Sequence, residues 1–84
     1  MEPYVITTRR ITVLGGQLAE IPPDAPPGLR TWTCHAFFVP GGKASQLKPR
    51  IKQTHIDITE VDGGAWVYGG HFWLEQTLKD LGLA

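Results

Sequence analysis

The chain has 84 residues, with eight Lys and Arg balanced by eight Asp and Glu, so its formal net charge is zero. That length allows one domain, which buries only about 60 % of the surface its unfolded chain exposes; a deep catalytic pocket is disfavoured and a binding module or obligate oligomer favoured. The charge balance excludes a global field that would draw the protein to nucleic acid or to an anionic membrane.

Residues 4–14, YVITTRRITVL, are rich in β-branched side chains, whose χ1 freedom is restricted in a helix, and they predict a strand. Gly15-Gly16 separates this run from residues 17–21. Two glycines there predict a two-residue hairpin turn, because both can take positive φ without a Cβ clash. Pro22, which has no N–H to donate, ends the return strand. Residues 22–28, PPDAPPG, exclude helix and central strand. They read as a stiff, polyproline-like connector, or as a ligand for an aromatic groove through the P-x-x-P spacing of Pro23 and Pro26.

Residues 30–39, RTWTCHAFFV, form the clearest strand. Trp32, Cys34, Ala36 and Phe38 share one face, which is apolar throughout and is expected to meet the core. Phe37 and Val39 lie on the other face. They are expected either beneath the proline connector or exposed as a contact patch. Residues 43–50, KASQLKPR, read as a mobile basic loop after Pro40-Gly41-Gly42, with Pro49 opposing a helix through Lys48.

Residues 51–61 alternate again, Asp62-Gly63-Gly64 predicts a tight turn, and 65–69 return as a strand before Gly69-Gly70. Leu74, Leu78 and Leu81 then fall at i, i+4 and i+7, one stripe of a helix over 71–81, with Gly82 placed for a left-handed C-terminal cap. His71, Phe72 and Trp73 are expected to pack the first turn against the sheet. Such a helix is marginal alone and needs that packing. The fold class is therefore α+β: a sheet of four to five mostly antiparallel strands with one C-terminal helix on a face. A small curled barrel capped by the helix is the alternative.

Candidate chemistry is sparse. Cys34 and His35 are neighbours in a strand, so their side chains point to opposite faces and cannot form a nucleophile–base dyad. His35, His55, His71 and Cys34 match no short metal-ligand spacing, and no metal or cofactor is expected. Gly41-Gly42-Lys43 lacks the upstream glycine and following hydroxyl of a phosphate loop. With one cysteine, no basic-then-apolar leader and no apolar run near the roughly 20 residues of a membrane span, a cytoplasmic protein without a membrane partner is expected.

Two functional classes follow. Three Trp, three Phe and two Tyr are a large aromatic supply for so small a core. Aromatics are enriched at interface centres. The first reading is a non-catalytic binding module, an inhibitor, regulator or small subunit acting on a protein partner through Phe37, Val39, Trp66 and Tyr68, with a homo-oligomer as one form. The second is a nucleic-acid binder that follows phosphates with Lys43, Lys48, Arg50 and Lys52 and stacks bases on Trp66 and Tyr68.

Overall fold

Gly15 and Gly16 adopt φ of 59° and 82°, so the turn predicted between them forms. It joins β1 (Thr7–Leu14) to β2 (Gln17–Glu20), with Leu14 opposite Gln17. The computed structural model describes residues 4–22, 24–25 and 27–83. Pro23 and Pro26, which carry the P-x-x-P spacing, lie outside the described residues. Among the described residues of this segment, the Ala25 N–H donates to the Pro22 carbonyl at 3.1 Å.

The chain continues through β3 (Trp32–Pro40), a one-turn helix α1 (Ala44–Leu47), a 3-10 turn (Lys48–Arg50), β4 (Asp57–Val61), β5 (Gly64–Gly69) and α2 (His71–Asp80). The strands make one antiparallel sheet in the order β2-β1-β3-β5-β4, and the fold is α+β. The sheet is nearly a barrel. Its two edges approach each other where the Thr59 hydroxyl of β4 donates to the Leu18 carbonyl of β2 at 2.5 Å, across 41 residues of sequence.

The strand registers sort the side chains into two faces. One carries Phe37, Val39, Ala65 and Val67, and these join Leu47, Leu74, Leu78 and Leu81 in the larger core cluster. Phe37 is 0 % and Val39 8 % exposed. The expectation that they lie either beneath the proline connector or exposed as a contact patch is corrected in both placements: they lie in the core with residues of α1 and α2. Alternation shows that two side chains share a face, but β3 is apolar on both faces, and only the position of α2 decides which is the main core. The inner face of the curl carries Ile11, Ala36 and Tyr68, with Leu18, Cys34 and Trp66 against them. Trp32, expected in the core, is exposed at the start of β3.

Two further expectations change. Residues 44–50 are helical rather than a loose loop, anchored by the buried Leu47. The Glu60 carboxylate accepts from the Ala44 N–H at 2.6 Å, so a strand side chain holds the first turn. Pro49 sits in the first turn of the 3-10 segment, where a missing N–H does no harm. Residues 51–56 precede β4 rather than belonging to it. His55 takes a φ of 63°, which breaks extended structure, while Ile51 and Ile56 turn into the larger core cluster.

α2 ends as its sequence dictates. Gly82 has φ 73°, the Gly82 N–H donates to Lys79 O and the Leu83 N–H donates to Leu78 O, which is a Schellman cap. Thr77 is fully buried beside Leu74 and Leu78. Its hydroxyl donates to the Trp73 carbonyl one turn back, which allows a polar side chain on the apolar stripe.

Candidate functional site

The inner face brings Arg9, Glu20, Cys34, Asp57 and Tyr68 together. Arg9 on β1 and Trp66 on β5 are separated by the whole of β3, yet the guanidinium carbon lies 4.3 Å from the Trp66 ring centroid. The small residue between them, Ala36, is fully buried and leaves room for the long side chains on either side to converge. The Arg9 Nε–H donates to the Thr7 hydroxyl at 3.1 Å, and the same nitrogen lies 3.2 Å from Glu20 Oε1 on β2. Because that single N–H is directed at Thr7, the Glu20 contact is ionic, and Glu20 Oε1 has no hydrogen bond among the described residues.

Beside this pair, Tyr68 is 2 % exposed and its hydroxyl has no partner among the described residues. Burial, and after it the negative charge of Glu20, push this hydroxyl above the ordinary tyrosine range, against a smaller pull from Arg9. The Cys34 thiol is raised by burial first and then by Asp57 and Glu20. Both groups are therefore held protonated. A thiol held above its usual range is a poor nucleophile, and His35 projects from the opposite face of β3.

The residues singled out from sequence are thus scattered. Phe37, Val39 and Tyr68 are core, and Trp66 is half-buried beneath Arg9. Lys43, Lys48, Arg50 and Lys52 are all exposed. Arg50 is committed to structure, since its Nη2 donates to Leu81 O at 2.8 Å and caps the C-terminal end of α2. Asp80 accepts from the Lys52 N–H and from the Gln53 side chain, each at 3.0 Å. Lys48 lines a cleft that also contains Asp57 and Glu60. Acidic groups therefore interleave with the basic run and divide it.

The rings at the start of α2 were misplaced by sequence reasoning. Phe72 and Trp73 are 60 % and 39 % exposed and pack edge-to-face on each other at 5.1 Å. With Leu74, Thr77, Leu78 and Leu81 turned to the sheet, the 100° step per residue carries Phe72 to the far side of the helix and Trp73 to its flank. That phase was legible in the leucine spacing. Next to them, the His35 and His71 rings meet edge-on at 5.4 Å, and His71 Nδ1 lies 3.4 Å from Glu75 Oε1. Among the described residues, no three His, Cys, Asp or Glu side chains are grouped to hold a metal ion. No helix among them is long and apolar enough to cross a membrane. Comparison with protein-family models, with curated proteins and with solved structures gave no match to this chain.

Proposed function

We propose that the chain is a small non-catalytic binding module that acts on a protein partner, with Phe72 and Trp73 as its anchors. The observation that carries this reading is the exposure of Phe72 and, on the helix flank, of Trp73, while the leucine stripe of the same helix is taken up by the core. Large rigid rings give contact area at low entropic cost and dominate binding energy at interface centres. The two rings meet edge-to-face, a favourable aromatic geometry that joins them into one apolar surface. The nucleic-acid alternative is weakened by the commitment of Arg50 to the end of α2 and by the acids beside Lys48. In a reducing cytoplasm the single thiol of Cys34 stays reduced.

The test is the double variant Phe72→Ser/Trp73→Ser. Phe72 faces away from the sheet and Trp73 lies on the helix flank outside the core cluster, so the variant should still unfold cooperatively, with a melting temperature close to that of the wild type. A tagged wild-type chain should retain a protein from extracts of its native host that the double variant loses. Light scattering on both chains decides whether that partner is a second copy. Unchanged retention by the folded double variant overturns the reading, and a collapse of the fold would show that the rings are structural.

A further inference from the structure

We propose that the cleft beside Arg9 and Trp66 is a binding site for a carboxylate carried on an apolar body. The cleft has a volume of about 300 Å³, and its walls are Tyr4, Phe38, Pro40 and Trp66 with Thr7 and Arg9. Arg9, Phe38 and Trp66 present it on the inner face of the sheet, Tyr4 borders it from the edge where that ring also meets Phe37, and it does not include Phe72 or Trp73.

The argument rests on how Arg9 is held. Its guanidinium carbon lies over the Trp66 ring, and its Nε is occupied by Thr7 and faces Glu20. Three contacts on three strands thus fix the stem of the side chain. Neither terminal nitrogen donates to any described residue, and Arg9 is a lining residue of the cleft, so its fork is available to a ligand there. A planar fork of this kind matches a carboxylate, and prior immobilisation reduces the entropy lost on binding. Glu20 sits on the Nε side, where it orients the guanidinium without occupying the terminal nitrogens.

The same pair selects the charge of the ligand. Glu20 already pairs with Arg9, and the cleft wall has no second cation. A monoanion is therefore favoured over a dianionic phosphate. Three aromatic walls and a proline call for an apolar body, and the volume, at the low end for ligand sites, fits one ring or one amino-acid side chain. A free aromatic acid and the C-terminal residue of a peptide share this chemistry.

The experiment titrates the full chain with phenylacetate, with an acetylated peptide ending in a free Phe carboxylate, and with the same peptide as its C-terminal amide. Nuclear magnetic resonance follows the Trp66 indole N–H and the Arg9 Nε–H, each assigned by substitution. At least one free acid should shift both signals and saturate below about 10 mM, while the amide does not. Arg9→Gln should weaken binding by about tenfold or more, since a charge-assisted fork is lost. Arg9→Lys, which keeps the charge but not the fork, should fall between and serves if Arg9→Gln does not fold. Tighter binding of the peptide acid assigns the site to a protein C-terminus, and tighter binding of phenylacetate to a small acid. Absence of any shift, equal binding of the amide, or undiminished binding by the arginine variants overturns the proposal.

Discussion

The two faces of the sheet bury their side chains by different means. On one face Phe37, Val39 and Val67 are covered by α2 and α1, a separate layer of structure that supplies Leu47, Leu74, Leu78 and Leu81. On the other face the sheet covers itself, curling until Arg9 reaches Trp66 across β3 and Thr59 reaches Leu18 across the open seam. A helical cover can be wholly apolar toward the sheet. Self-closure cannot be, because the rim of a curled sheet stays near water, and there Arg9, Glu20, Cys34 and Asp57 surround the buried Tyr68. The comparison teaches that in this small domain the larger apolar core lies under the helices, while the face closed by curvature buries its side chains beside Arg9, Glu20, Cys34 and Asp57.

The largest expected effect is on the covered face. Phe37→Ala should cost about 3–5 kcal/mol, a large fraction of the stability available to a domain this small. Urea unfolding checks it, and a loss under 1 kcal/mol, about the cost of a minor surface change, would show that the helix layer does not carry the core. Next comes the fixture that ends the cover. Gly82→Ala places a Cβ in a left-handed conformation at φ 73° and should cost about 1–2 kcal/mol. A neutral result would show that the cap relaxes without loosening α2.

On the inner face the sign should reverse. Tyr68→Phe removes a buried hydroxyl without a described partner and keeps the ring, so it should be neutral or stabilise by up to about 1 kcal/mol. Destabilisation beyond that, measured by the same unfolding assay, would mean that the hydroxyl is bonded in solution. The smallest effect concerns Asp80, which ties residues 52 and 53 to the end of α2. Hydrogen bonds from the Gln53 side chain and then the Lys52 N–H hold its carboxyl below the ordinary range. A depressed folded value means that its contribution is present above the unfolded value of about 3.9 and is lost as pH falls through the folded value. The melting temperature of Asp80→Asn should lie slightly below wild type at pH 7 and converge with it in acid. A gap that persists unchanged in acid would assign the effect to packing.

Some of this was determined by the sequence alone. Gly15-Gly16 and Asp62-Gly63 mark two hairpins, because positive φ is a local requirement that few residues meet. Leu74, Leu78, Leu81 and Gly82 define the buried stripe and the end of α2, because 3.6-residue periodicity and the left-handed cap are properties of one segment. The opposition of Cys34 and His35 follows from strand geometry in the same way. Which face of β3 became the main core was decided only by tertiary structure, since both faces read as apolar and α2 could cover either. Residues 44–50 became helical because Leu47 found a core to enter and Glu60, sixteen residues from Ala44, supplied a partner for its N–H. The cluster of Arg9, Glu20 and Trp66 joins three strands. No local pattern could have announced it, because it exists only where the curl of the sheet brings β1, β2 and β5 over Ala36.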